Sequence, residues 1–250
     1  MTGGIMNEMT GMRILVVGGS SGIGLESGLQ AARAGANVAF AARRTELLDE
    51  AVAECGESTI ALQCDVRDPQ HCSDAVEKAA KHFGGLDVIL YSAGTSPLKR
   101  MGDATRDVWA EVLETNVIGA ALVARAALPH LQASNGRLIL LGSSSVGRPY
   151  PGLVPYTTSK AALHELARGL RGEFPWLRLT TFIVGPTMTG FANSWDPELF
   201  GELHARWSVE GYAAGAALTV EEMSAQVIRV MNSGARIDEI TVMPDELPPS

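Results

Sequence analysis

Tyr156 is followed four residues later by Lys160, in a segment (Tyr156-Thr157-Thr158-Ser159-Lys160) that reads as the start of a helix. Residues i and i+4 share a helix face, about 6 Å apart along the axis. The spacing therefore sets an ammonium beside a phenol. A neighbouring positive charge favours the phenolate, so the Tyr156 pKa is expected to fall toward neutrality. A phenol tuned in this way gives a proton to a carbonyl oxygen or takes one from an alcohol. With four tyrosines and four lysines in 250 residues, chance supplies such a pair well under once. A single pair is still a weak signal, and its weight depends on what the rest of the chain places around it.

A second chemistry-bearing stretch begins at Gly18. The apolar run Arg13-Ile14-Leu15-Val16-Val17 reads as a buried parallel strand. It runs into Gly18-Gly19-Ser20-Ser21-Gly22-Ile23-Gly24 and then into a helical segment ending at Ala34. Strand, glycine turn and helix form a dinucleotide fingerprint, here spaced G-x-x-x-G-x-G. Gly18 allows the tight turn, Gly22 the approach of a pyrophosphate, and Gly24 close packing of helix on strand. With Ser20, Ser21 and Ile23 they form a cradle whose helix-start N–H groups face phosphates. A flexible Gly/Ser turn is the alternative, and the preceding strand weighs against it.

The next strand, Asn37 to Ala42, ends at Arg43-Arg44. Dinucleotide folds carry there an acidic residue that grips the ribose 2′-OH. A carboxylate repels a 2′-phosphate and an arginine binds it bidentately, which favours NADP(H) over NAD(H). One arginine opens the following helix, Thr45 to Glu54. Arg43, nearer the strand end, is the choice for the phosphate, with Arg44 beside it. A third strand, Thr59 to Cys64, ends at Asp65-Val66. Asp65 either accepts from an adenine amino group or caps a turn before Pro69. A helix over Pro69 to Phe83 and a strand over Leu86 to Tyr91 follow. Ser92-Ala93-Gly94 after that strand leaves room for a ribose.

Thr105 to Ala133 is a long helical segment on which Trp109, Val112, Leu113, Asn116, Val117 and Ala120 share a stripe. Asn116 is an amide on an apolar face. It either satisfies a neighbouring backbone group or holds a water in a site. Arg137 to Leu141 is the most apolar strand and ends in Gly142-Ser143-Ser144-Ser145, at the sheet edge where ligands bind in open parallel folds. On the helix carrying the pair, Tyr156, Lys160, Leu163 and Ala167 form one stripe. A lysine continuing an apolar stripe is unusual; snorkelling at a helix start is the alternative. Leu177 to Val184 is a sixth strand, closed by Gly185-Pro186-Thr187-Met188-Thr189. The aromatic-rich stretch from about 187 to 215 reads as a substrate lid, or as an ordinary amphipathic helix over Pro197 to Ser208. A helix over Thr219 to Asn232, capped by Thr219, and a strand over Glu239 to Met243 complete the pattern.

The chain is 46% hydrophobic with net charge −8, which supports a sizeable core and argues against nucleic acid as a partner. Cys55, Cys64 and Cys72 have no metal-site spacing and are expected to be reduced thiols in a cytoplasmic protein. Residues 1–12 lack the pattern of a signal peptide and are expected to form a flexible leader. No apolar run is read as long enough to span a membrane. Residues 244–250 are read as a tail.

Taken in order, these features resemble the short-chain dehydrogenase/reductase family from about Arg13 to Met243. Its T-G-x-x-x-G-x-G motif falls on Val17-Gly18 through Gly24, with valine for threonine. Its N-N-A-G falls on Tyr91-Ser92-Ala93-Gly94, with both asparagines replaced. Asn116 matches the catalytic asparagine, Ser143 the catalytic serine thirteen residues before the tyrosine, and Tyr156 and Lys160 the Y-x-x-x-K pair. Pro186 is followed by Thr187 instead of glycine, and Thr187 or Thr189 is the candidate for the nicotinamide carboxamide. The resemblance implies Tyr156 as general acid or base, and Lys160 lowering its pKa and holding the ribose hydroxyls. It further implies Ser143 polarising the substrate oxygen and Asn116 positioning a water that relays protons to Lys160.

The expected fold is a single Rossmann-type, doubly wound α/β domain over 13–243, with a mostly parallel seven-stranded sheet and helices on both faces. The expected activity is NADP(H)-dependent interconversion of a carbonyl and an alcohol on a small molecule. No metal and no membrane partner is expected, and the assembly is expected to be a homodimer or homotetramer. A non-catalytic NADP(H)-binding scaffold or sensor, and an isomerase or dehydratase on the same fold, are the rival readings.

Overall fold

A computed structural model of the chain describes residues 9–148, 150–212 and 215–245. The expected leader over 1–8 and the tail over 246–250 lie outside the described residues. Residues 9–12, assigned to the leader, are not loose. Met9 is buried against the sheet and bonds through its N–H to Ala34 O.

Seven strands form one sheet: β1 (Arg13–Val17), β2 (Asn37–Ala42), β3 (Thr59–Gln63), β4 (Val88–Tyr91), β5 (Arg137–Ser143), β6 (Arg178–Val184) and β7 (Glu239–Val242). Their order is β3-β2-β1-β4-β5-β6-β7, and every pairing is parallel. Buried on both faces, the central strands carry the continuous apolar runs that parallel sheets require. Successive side chains alternate: Leu15 and Val17 enter one core, Ile14 and Val16 the other. Helices α3 (Pro69–Phe83), α5 (Gly119–Ser134) and α6 (Val154–Glu173) cover the first face. Helices α1 (Gly22–Arg33), α2 (Thr45–Cys55) and α8 (Val220–Met231) cover the second. The strand order reverses between β1 and β4. This opens a crevice at the carboxyl ends of the strands, where α/β sheets bind ligands.

Caps set the helix ends. Asp68 accepts from the Gln70 and His71 N–H groups at the start of α3. Thr219 and Glu222 form a reciprocal capping box on α8. The carbonyls of Ser233 and Ala235, just past α8, accept from the guanidiniums of Arg137 and Arg178, which anchors that helix to the bases of β5 and β6.

The long helical segment is not one α-helix. Helix α4 (Arg106–Leu113) passes into a π-helical stretch, Glu114–Ile118, and then into α5. By length and hydropathy, Arg106–Ser134 meets the threshold for crossing a membrane, contrary to the expectation that no run does. Its apolar residues Val112, Ala120, Val123, Ala124, Ala127 and Leu131 are buried inside the protein. Helix α7 (Pro197–Val209) occupies the stretch read as a lid, preceded by a short turn at Gly190–Ala192.

Candidate active site

The crevice is a cleft of about 900 Å³. One end is built by the loop between β1 and α1. Gly18 has φ +88°, and a Cβ there would meet the Ala93 backbone nitrogen at 2.4 Å. The loop can therefore lie against the end of β4 only without a side chain. At Gly24 a Cβ would meet Ser92 Oγ at 2.1 Å and Gly18 O at 2.5 Å. Gly22, at φ +55°, faces open space. Ser21, the residue before α1, makes no side-chain cap bond, and the first turn holds no acidic residue. The free N–H groups of a twelve-residue helix thus open onto the cleft.

Ser20, Ser21, Gly22, Ile23 and Gly24 line the cleft, as do Arg43, Arg44, Asp65, Val66, Ala93 and Gly94. Arg43 is the first residue after β2, and Arg44 is the residue from which α2 starts. Both are exposed. Asp65 is already engaged: its carboxylate takes three bonds from Arg67, at 2.6 to 3.0 Å. That pairing holds its pKa at about 2, against the opposing effect of burial. The helix cap next to it is Asp68, not Asp65. Behind the loop, the buried Cys72 thiol donates to Val66 O at 3.3 Å. No cysteine is disulfide-bonded among the described residues.

The two residues that replace asparagines at the end of β4 supply polar support in another way. Ser92 Oγ donates to Val17 O at 3.0 Å and to Gly18 O at 3.1 Å, tying the glycine loop to β4. The buried Tyr91 hydroxyl donates to Thr115 O at 2.5 Å, inside the π-helical stretch. Such single-turn π insertions occur often at functional sites.

At the other end of the cleft lie Ser143, Tyr156 and Lys160. Ser143 ends β5, its hydroxyl hydrogen-bonds Ser145 Oγ at 2.9 Å, and it lies close enough to the Tyr156 phenol to favour the phenolate. Lys160 is 6% exposed, and its ammonium donates to Leu141 O at 2.7 Å. The same nitrogen lies 5.8 Å from the centre of the Tyr156 ring, so the helical spacing does pair the two side chains. Its electrostatic consequence differs from expectation. Burial pushes the Tyr156 phenol above its ordinary range, and the nearby Ser143 hydroxyl only partly offsets this. Burial also depresses Lys160, to about 8. Desolvation is the leading cause for both side chains, and no attraction between the ammonium and the phenol registers against it.

Asn116 is fully buried and lies behind the cleft wall. Its Oδ1 accepts from Thr95 N at 2.8 Å, and its Nδ2 donates to Thr95 O at 3.0 Å and Ser159 Oγ at 2.9 Å. The amide thus satisfies the backbone of Thr95. Its partner Ser159 sits between Tyr156 and Lys160 on α6. Pro186, Thr187 and Thr189 line the cleft opposite. The Thr187 hydroxyl donates to Gly185 O, and Thr189 Oγ1 accepts from the Phe191 N–H.

Sequence reasoning missed two residues. Ser145 pairs with Ser143, and its proximity in a serine run was the only signal. His164 is buried under β5, and its Nε2 accepts from the Ser143 N–H at 3.3 Å. It lies one turn beyond Lys160 on the Tyr156 stripe, a visible signal left unused.

A family model described as short chain dehydrogenase matches residues 12–198. The chain belongs to that family. It is 31% identical over 182 residues to the hydroxynaphthalene reductase arp2 of Aspergillus fumigatus, covering 71% of this chain and 66% of the relative. It is 34% identical over 174 residues to an 11-beta-hydroxysteroid dehydrogenase 1A of Arabidopsis thaliana, covering 66% of this chain and 49% of the relative. The matches thus span between half and two-thirds of these curated relatives. Among solved structures, a short chain dehydrogenase from Burkholderia cenocepacia in complex with NADP superimposes with a TM-score of 0.82. It is 31% identical over 95% of this chain and 98% of that one.

Proposed function

We propose that this protein is an NADP(H)-dependent oxidoreductase that interconverts a carbonyl and an alcohol, with Tyr156 as general acid in reduction and general base in oxidation. The observation that carries the reading is that Ser143 and Tyr156, with the Lys160 ammonium beside the phenol, line one end of a cleft that has an uncapped helix start at its far end. The glycine cradle and the free α1 N–H groups fit a pyrophosphate, and Arg43 with Arg44 fits a 2′-phosphate. NADP in the Burkholderia relative is consistent with that fit.

When bound, the cofactor supplies or accepts the hydride. The substrate oxygen sits between the Tyr156 and Ser143 hydroxyls, both of which donate to it. As the carbonyl π bond breaks and the new C–H bond forms, negative charge gathers on that oxygen. Ser143 stabilises the charge and the Tyr156 proton transfers to it, giving the alcohol. A phenol held protonated by burial is ready as the acid, and the neighbouring Lys160 ammonium stabilises the phenolate left behind. Ser145 orients Ser143 through the 2.9 Å bond between their hydroxyls. Asn116 holds Thr95 and Ser159 in place. In the same reading, Thr187 or Thr189 faces the carboxamide, and the protein works in the cytoplasm as a homodimer or homotetramer.

Tyr156→Phe tests the assignment. Turnover of carbonyl substrates should fall by about 10²- to 10⁴-fold, while NADPH binding, followed by its fluorescence, is retained. Turnover at the parent rate in that variant refutes the mechanism. Normal NADPH binding with no turnover of any carbonyl or alcohol by the parent protein favours the scaffold reading.

A further inference from the structure

We infer that the substrate end of the cleft takes an uncharged, flat, aromatic or fused-ring ketone or alcohol; this deepens the oxidoreductase reading and rests on it. From Tyr156 outward the rings of Tyr150, Phe191, Trp195, His204, Trp207 and Tyr212 line the cleft, interspersed with the uncharged polar residues Ser96, Asn193 and Ser194. The charged side chains among the described lining residues are Arg43, Arg44 and Asp65, at the strand ends where the cofactor cradle lies, and Lys160 beside Tyr156. An anionic or zwitterionic substrate would find no countercharge beyond Tyr156, and leaving a charge uncompensated there is costly.

The rings offer their carbon faces because their polar edges are already engaged. Trp195 Nε1 donates to Ser96 O at 2.5 Å, Trp207 Nε1 to Pro151 O at 3.0 Å, and the Tyr150 hydroxyl to Tyr212 O at 2.7 Å. These bonds also fix the rings. Trp195 and Trp207 stand edge-to-face, 6.2 Å apart, and Tyr150 meets Trp207 at 5.5 Å. Beneath them Leu98, Leu153, Leu203 and Trp207 form a separate apolar cluster. Helix α7 is therefore a packed, preorganised wall, additionally clamped to the loop after β4 by the Arg100–Glu202 ion pair. Phe191 is 40% exposed, and its ring lies 5.4 Å from the Tyr156 ring. A planar substrate placing its oxygen on Tyr156 would lie against it. A sugar, with a hydroxyl on nearly every carbon, would lose most of its hydrogen bonds to water against such a surface.

Two measurements on the full-length protein test this. The first compares kcat/KM with NADPH for 2-tetralone, acetoacetate, dihydroxyacetone phosphate and xylose. The bicyclic ketone should lead by at least about 100-fold, and a lead by an anionic or sugar substrate overturns the inference. The second needs no turnover. 2-Naphthol should quench tryptophan fluorescence of the NADP⁺ complex, and Phe191→Ala should weaken its Kd by about tenfold, the upper end of one aromatic contact, with the NADPH Kd unmoved. Failure of 2-naphthol to bind, or an unaltered Kd in the variant, overturns the inference. Naphthol binding in a protein that reduces no carbonyl with NADPH and oxidises no alcohol with NADP⁺ upholds the aromatic site and refutes the oxidoreductase reading instead.

Discussion

Lys160 carries an energetic cost that can be measured without substrate. Its ammonium is buried with one carbonyl partner, and its pKa is depressed from 10.5 to about 8. A group whose folded pKa lies below its unfolded value holds fewer protons when folded, so stability rises with pH between those two values. The full penalty is present below pH 8 and absent above about 10.5. A depression of this size corresponds to roughly 3 kcal/mol. Lys160→Met keeps the length and apolar stem of the side chain and removes the titration. Urea unfolding of parent and variant, followed by tryptophan fluorescence at pH 7, 8, 9 and 10 without cofactor, isolates the effect as a difference between the two. Relative to the parent, the variant should lose roughly 2.5 kcal/mol of stability from pH 7 to pH 10, since only the parent sheds most of its penalty over that range. The sign at pH 7 depends on how far the orphaned Leu141 carbonyl, about 1–3 kcal/mol, offsets the relief. The pH slope does not. A stability difference independent of pH would refute the claim that Lys160 is held desolvated, and with it the argument that desolvation leads at this pair.

Other consequences can be checked alongside. Arg43→Ala should raise the NADPH Kd about tenfold or more and leave the NADH Kd within twofold; an unchanged ratio removes the 2′-phosphate assignment. Gly24→Ala places a Cβ 2.5 Å from Gly18 O and should cost about 1–3 kcal/mol of stability, with NADPH affinity falling as the loop shifts. Its failure to do either would mean that the β1–α1 loop is looser than described. Burial pushes the His164 pKa below its ordinary 6.5, with Glu239 opposing and Lys160 and Arg168 reinforcing the shift. The folded protein therefore binds fewer protons here, and stability falls as pH drops below about 6.5. His164→Gln, whose amide can still accept from Ser143 N–H, should show a shallower loss between pH 7 and 5 in thermal melts. Parallel curves would disprove this.

Elements with a local cause were legible in the sequence. The central strands were legible because a strand buried on both faces must be an unbroken apolar run, and this one-dimensional signal survives without neighbours. The glycine loop was legible because its backbone demands glycine at Gly18 and Gly24. Tyr156 and Lys160 share a face through helix geometry alone. The break in the long helix was not legible: nothing in Glu114–Ile118 announces a π turn, and the hydrogen bond that Thr115 O accepts there comes from Tyr91 on β4, a distant element. Membership of Met9 in the core was missed for the same reason, since its partner Ala34 lies a whole strand and helix away.

What the sequence by itself determined is the order of the groups: a glycine turn, arginines after the second strand, a serine at a strand end, and a tyrosine one helical turn before a lysine. These depend on spacing and residue type, which the chain carries locally. Only the tertiary structure decided how the groups are tuned and what they face. The Tyr156 pKa moves up instead of down because enclosure by α6, β5 and the aromatic wall removes water from around it, and desolvation is a property of the surroundings. Asn116 is tied to Thr95 and Ser159, partners 21 and 43 residues away. The ring-lined end of the cleft exists because Tyr150, in the loop after β5, packs against Trp207 of α7 and Tyr212 beyond it, a contact between distant segments that no local pattern encodes.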